Sequence, residues 1–180
     1  YAGALKALDG SEGEDLPPAL AVQRVQLRSR AMMGVGESMG ALLLLEEDES
    51  RQAEQLRAES YWSSKDWPRA AQSLRKIIRI DAAPNDEPLD PEQALNILNY
   101  AIALTLSGND RGLGVLREKY GAAMYATDLK DAFVLIATPE QFGLISQESI
   151  PSKVRVAENF QTFMAAYKER LATENLSQMN

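Results

Sequence analysis

Polar and apolar residues along this chain follow the 3.6-residue period of helices, most clearly between residues 67 and 78. There Trp67, Ala70, Ala71, Leu74, Ile77 and Ile78 lie along one stripe, while Arg69, Arg75, Lys76 and Arg79 take other directions. After a breaker-rich loop over residues 10–18, the same pattern predicts a helix over residues 19–33 and a turn at Gly34, Val35 and Gly36. A short helix then carries Met39, Ala41, Leu42 and Leu45 into the core. Ser50 is placed to cap a helix holding Ala53, Leu56, Ala58, Tyr61 and Trp62, which turns at residues 63–66 before the 67–78 stripe. A loop over residues 82–90, rich in turn formers, precedes Asp90, Pro91 and Gln93. These three read as cap, first-turn proline and capping-box partner of a helix with Leu95, Ile97, Leu98, Ala101, Ile102 and Leu104. A turn at residues 107–110 leads to a partner helix with Leu113, Val115 and Leu116. Asp128 is placed to cap a short helix ending at Ala137, and Thr138, Pro139 and Gln141 repeat the logic of Asp90. A last helix is expected from Ser152, with Val156, Phe160, Phe163, Met164, Tyr167 and Leu171 on one side and a frayed tail after Glu174.

A shift of 29 residues lays part of the chain over itself. Gln23, Gln26, Leu27 and Arg28 fall on Gln52, Gln55, Leu56 and Arg57, and Ala41 and Leu45 fall on Ala70 and Leu74. Self-similarity at such a period marks a supersecondary unit that buries its apolar face only by stacking on its neighbours. The expected fold is therefore all-α: antiparallel helix hairpins over residues 18–48, 50–81 and 90–120, with capping helices over 127–174, in one domain spanning residues 1–180.

Composition narrows the function classes. Hydrophobic residues make up 45% of the chain and charged residues 25%, the profile of an ordinary folded domain and not of a disordered segment. A formal net charge of -7 and a pI near 4.8 oppose binding to phosphate backbones and anionic membranes. With no Cys and no His, the chain lacks thiol nucleophiles, imidazole bases and the commonest zinc ligands. The longest purely apolar run, residues 41–45, falls far short of the roughly 20 residues of a membrane-spanning helix, so no direct membrane insertion is expected. A start at Tyr1 without a basic and apolar leader suggests a mature product or a piece of a longer protein.

At the second hairpin, Ala58, Tyr61, Asp66, Trp67, Ala70 and Leu74 resemble the signature of tetratricopeptide repeats, in which small residues let two helices approach and aromatics fill the space beside the turn. Gly36, Ala41 and Leu45 resemble it in the first hairpin, and Ala101, Gly108, Gly112 and Leu116 in the third. The resemblance covers residues 18–120. It departs from the family in spacing, with 29 residues from Ala41 to Ala70 and 42 from Ala70 to Gly112, where the family keeps about 34. It implies a right-handed α-α superhelix whose first helices line a concave binding face. The stretches LRAESYWSSKDWPRAAQSL and AIALTLSGNDRGLGVLREKYGAAM also resemble parts of large bacterial envelope proteins with such repeats, which implies a periplasmic or envelope location over a cytoplasmic one.

On that resemblance the candidate protein-binding groove comprises Gln23, Gln26, Arg30, Gln52, Gln55, Glu59, Trp62, Asn96 and Asn99. The competing explanation is that these are exposed polar positions filled by good helix formers, with Trp62 in the core. Other motifs are weaker. The glycines of residues 34–40 follow a helix and match neither a dinucleotide nor a Walker cradle. Ser73 and Lys76 have the spacing of some acyl-transfer enzymes without their other motifs. Asp81, Asp86, Glu87, Asp90 and Glu92 crowd carboxylates without the pattern of a calcium loop. Arg24 with Arg28, and Arg75 with Arg79, are basic pairs at helical spacing. The function expected is a non-catalytic scaffold for a protein or peptide partner, needing no cofactor or metal and binding no nucleic acid. The alternative is a structural helical domain of a larger envelope enzyme or assembly factor.

Overall fold

The helical periods are realised as α1 (Ala2–Gly10), α2 (Pro18–Gly34), α3 (Ser38–Leu44), α4 (Arg51–Ser63), α5 (Trp67–Ile80), α6 (Pro91–Leu106), α7 (Asp110–Met124) and α8 (Lys130–Ala137). The computed structural model describes residues 1–11, 16–81 and 88–137, all within the compact unit Tyr1–Ala137, and among them there is no strand. The cap at residues 138–141 and the helix expected from Ser152 lie outside the described residues. Consecutive helices pair as α2 with α3, α4 with α5 and α6 with α7, and α5 also packs against α6, so the described residues are all-α and built of packed helices.

The same turn closes all three hairpins. Gly36, Lys65 and Gly108 occupy the left-handed region, at φ of 90°, 59° and 70°. In each case the next residue donates its N–H to the carbonyl five positions back: Glu37 to Met32 at 2.9 Å, Asp66 to Tyr61 at 2.8 Å, and Asn109 to Leu104 at 2.9 Å. This satisfies carbonyls that the end of a helix leaves without partners. In the second and third hairpins a capping side chain starts the returning helix, with Asp66 accepting from Arg69 N–H and Asn109 from Gly112 N–H, whereas Glu37 makes no such bond in the first. Gly112 therefore corresponds to Arg69, and the residue that takes the place of Ala70 is Leu113. The third hairpin is thus set one residue away from the register read from the sequence, in which Gly112 stood for Ala70.

Ser50 caps α4, its Oγ accepting from Ala53 N–H at 3.3 Å. The capping box of α6 is complete: Gln93 N–H donates to Asp90 Oδ1 at 2.8 Å, and Asp90 N–H donates to Gln93 Oε1 at 3.0 Å. Gln93 Nε2 also donates to Asp81 O at the end of α5, joining the two helix ends. Asp128 does not begin α8, which starts at Lys130. The hydroxyl that supports the preceding turn belongs to Thr127, which donates to Met124 O and accepts from Leu129 N–H.

The core runs along the paired helices. Ala41, Ala53, Ala70, Ala101 and Ala103 are fully buried, and their small side chains allow close backbone approach. Leu45 packs with Ala53 and Leu56, joined by Met33, and so links the first hairpin to the second. Met39 does not enter this core as expected: it is 75% exposed. Helix α3 is seven residues long, its inward direction is taken by Ala41 and Leu45 at i and i+4, and a residue two positions before Ala41 points to the other side. Helix α6 is the most enclosed, with Ala94, Ile97, Leu98, Ala101, Ile102, Ala103 and Leu104 buried between α5, α7 and α8.

Candidate functional site

Glutamines one turn apart on the outer face of α2, with the first turn of α4 beside them, form a shallow concavity of about 290 Å³. Gln23, Gln26, Leu27 and Arg30 line it from α2 and Gln52 from α4. The 29-residue relation thus brings five residues of the first two hairpins together, four of them from the sequence candidates and Leu27 in addition. Gln26 is held in place by Nε2, which donates to Asp48 Oδ2 at 2.8 Å and to Ser50 Oγ at 3.1 Å. Partial burial pushes the Asp48 carboxyl up, but hydrogen bonds from Gln26 and Ser50 and the charge of Arg57 outweigh it and hold the group below the usual aspartate range. Arg30 is exposed at the rim.

Gln55 and Glu59 continue along α4, where Gln55 Nε2 donates to Glu59 Oε1 at 3.4 Å and Gln55 Oε1 accepts from Arg51 Nη1 at 3.4 Å. Neither lines the concavity. Trp62 is half-buried and stands edge-on against Trp67, with ring centroids 5.3 Å apart and planes at 84°, in a contact that braces the second turn.

Counted back from the shared turn, the α6 residues that correspond to Gln26, Gln55 and the pair Arg30 and Glu59 are Leu98 and Ile102, and both are buried. Asn96 and Asn99 correspond to the core positions Ala53 and Leu56, and both are half-buried. The polar row of α2 and α4 therefore does not pass into α6, because the third hairpin packs apolar residues at those positions, in a helix that α8 also covers.

Several residues with defined electrostatic roles were not singled out from the sequence. Arg51 donates to both oxygens of Asp81, at 2.6 and 2.9 Å, and to Glu92 Oε1 at 2.7 Å. Its guanidinium is raised above the ordinary arginine value, chiefly by the bond to Asp81 and then by that to Glu92. Two carboxylates of the acidic run thus converge on a cation of the chain itself, Asp90 caps α6, and Asp86 and Glu87 lie outside the described residues. Glu54, 1% exposed on α4, accepts from Arg57 Nη1 at 2.8 Å and from Lys76 Nζ at 2.7 Å through the same oxygen. Arg57 also donates to the carbonyls of Leu45 and Glu46, joining the three charges to the first hairpin. The ammonium of Lys76, paired with Ser73 in the sequence motif, is thus bound to Glu54. The signal for Glu54 was present: a glutamate on the apolar side of a helix three residues before an arginine.

A second, larger groove of about 470 Å³ lies between α5 and the end of α6. Ala71, Gln72, Arg75 and Lys76 form one wall, and Tyr100, Leu104, Ser107 and Asn109 the other. Burial raises the Tyr100 phenol above the usual tyrosine range, with nearby Arg75 opposing the shift and Tyr120 adding to it. The sequence marked this groove only through the basic pair Arg75 and Arg79, of which Arg75 lines it, because its walls come from two hairpins at unrelated sequence positions.

Among the described residues no helix is long and apolar enough to cross a membrane, and no cluster of three or more acidic residues is arranged to hold a metal ion. Comparison of the chain with protein-family models, with curated proteins and with solved structures finds no match in any of the three.

Proposed function

We propose that the chain is a non-catalytic helical scaffold of tetratricopeptide-like hairpins, arranged as a right-handed superhelix, which holds a protein or peptide partner. The observation that carries this reading is the recurrence of one turn at Gly36, Lys65 and Gly108, each with the same five-residue hydrogen bond, in a chain of paired helices. Stacked hairpins offer an extended surface suited to shape recognition, and the α2 and α4 concavity presents amide donors and acceptors with Leu27, 59% exposed, as an apolar contact. An envelope or periplasmic location and a bacterial parent protein belong to the same proposal, resting on the resemblance of residues 56–74 and 101–124.

The test is affinity capture from an extract of the source organism with the native chain as bait, beside a Gln52→Arg, Arg30→Glu variant whose helical content is unchanged by circular dichroism. A partner captured by the native chain, lost by the variant and cross-linked through a photoreactive residue at position 27 supports the concavity as a binding face. Equal capture by both chains overturns it.

A second reading, a structural domain packed within a larger assembly, is favoured by the outer face of α3. Met39 and Leu43, one turn apart, are 75% and 65% exposed, a pair of apolar side chains suited to burial against a neighbouring surface.

A further inference from the structure

Helix α5 carries Arg69, Arg75, Lys76 and Arg79 and no Asp or Glu, in a chain whose formal net charge is -7. Arg69 pairs with Asp66 at 3.3 Å and Lys76 with Glu54 at 2.7 Å, whereas Arg75 and Arg79 make no ion pair among the described residues. Pro68, Gln72, Arg75 and Arg79 follow one another by four, three and four residues, which aligns them on one exposed face of the helix. Pro68, Gln72 and Arg75 of that face line the 470 Å³ groove, a volume within the roughly 300–1,000 Å³ of ligand pockets, and no residue lining the groove is acidic.

We infer that the groove between α5 and α6 docks an acidic peptide segment of a partner protein. Carboxylates of the segment pair with Arg75 and with the outer side of Lys76. An apolar side chain packs on Pro68 and the Tyr100 ring, and the amides of Gln72 and Asn109 meet peptide backbone. Neutralising Glu54 does not exhaust the local positive charge, because Arg57 and Lys76 both bind that one carboxylate and leave the cluster cationic. A peptide suits the site better than a nucleic acid. The basic stripe is one helix long, the rest of the chain is acidic and repels a phosphate backbone, and the groove offers an apolar wall beside its cations. The docking surface is separate from the α2 and α4 concavity and does not depend on it.

The probe is a fluorescein-labelled mixture of short peptides alternating Glu or Asp with Leu or Tyr, and the control is the same mixture with Gln and Asn in place of the acids. Fluorescence anisotropy is expected to show saturable, salt-weakened binding of the acidic mixture to the native chain. Arg75→Glu should weaken it roughly tenfold or more, with unchanged circular dichroism, and Lys6→Glu, exposed on α1 and lining neither surface, should leave it unaltered. Gln72→Glu, one turn away on the same face, serves as a second variant and is expected to weaken binding in the same direction. The inference is overturned if the acidic mixture does not bind saturably or the amide mixture binds equally well. It is also overturned if both α5 variants bind like the native chain, or if a labelled single-stranded oligonucleotide binds more tightly than the acidic peptides.

Discussion

At the scale of single residues, Glu54 is the most consequential side chain outside the apolar core. It holds Arg57, whose side chain is 12% exposed, and Lys76, which is 56% exposed. Removing a buried carboxylate leaves a desolvated guanidinium without its partner, whereas removing an exposed ammonium leaves Glu54 with Arg57. Glu54→Ala is therefore expected to cost about 3 kcal/mol or more in urea unfolding. Lys76→Met is expected to cost less than about 1 kcal/mol, and equal losses would contradict this ranking. Asp48 supplies a pH-dependent counterpart. Its folded-state pKa is depressed, so the stability it contributes is present above the unfolded aspartate value and is lost as pH falls through the folded one. Gln26→Ala should cost about 1–2 kcal/mol near neutrality, because the amide donates to a charged group. The difference between the two chains should shrink as pH falls below about 5. A difference independent of pH would mean that Gln26 acts through packing and not through Asp48.

At the scale of elements, the hairpins were legible because amphipathic helices announce themselves through period, and the stripe of α5 from Ala70 to Ile78 is the clearest case. What the sequence concealed was register. Gly112 looks like a small packing residue in place of Ala70, yet it lies at the position where Asn109 accepts a backbone N–H, and Leu113 enters the core one residue later. Helix α6 also lost the signal that would have placed Asn96 and Asn99. A helix buried on several sides has no single polar face to orient it. The turn at residues 63–66 was expected, but its likeness to the other two was not visible because lysine stands where they have glycine. That lysine carries strain: a left-handed backbone costs an L-residue about 1–2 kcal/mol, and glycine returns about 0.5–1 kcal/mol of this as unfolded-state entropy. Lys65→Gly is therefore expected to stabilise the chain by about 0.5–1 kcal/mol. Gly108→Ala should destabilise it by about 1 kcal/mol through the backbone alone, since an added Cβ at that position meets nothing within 4 Å. Thermal unfolding of the two variants checks both signs, and a destabilised Lys65→Gly would show that the side chain supports the turn.

At the scale of the whole unit, stability should be graded along the array. Each hairpin is stabilised by burial against its neighbours, and the helices differ widely in how much of their surface they bury. Helix α1 buries no residue and is held to α2 by Arg24, which donates to the Leu8 carbonyl and to Ser11, and by the Arg28 to Asp9 pair at 2.6 Å. Such solvent-exposed polar contacts contribute little, so α1 should open without disturbing the remainder. Helix α6 sits between α5, α7 and α8 with seven buried residues, and breaking its hydrogen bonds requires dismantling packing on several sides. Amide hydrogen exchange is therefore expected to show α1 opening with a free energy near the low end of the scale, about 0 kcal/mol. The α6 amides should exchange only through the global transition and follow its denaturant dependence. If α1 instead exchanges in step with α6, the first helix belongs to the same cooperative unit as the core. The nearest-neighbour description of the array would then give way to that of a single all-or-none domain.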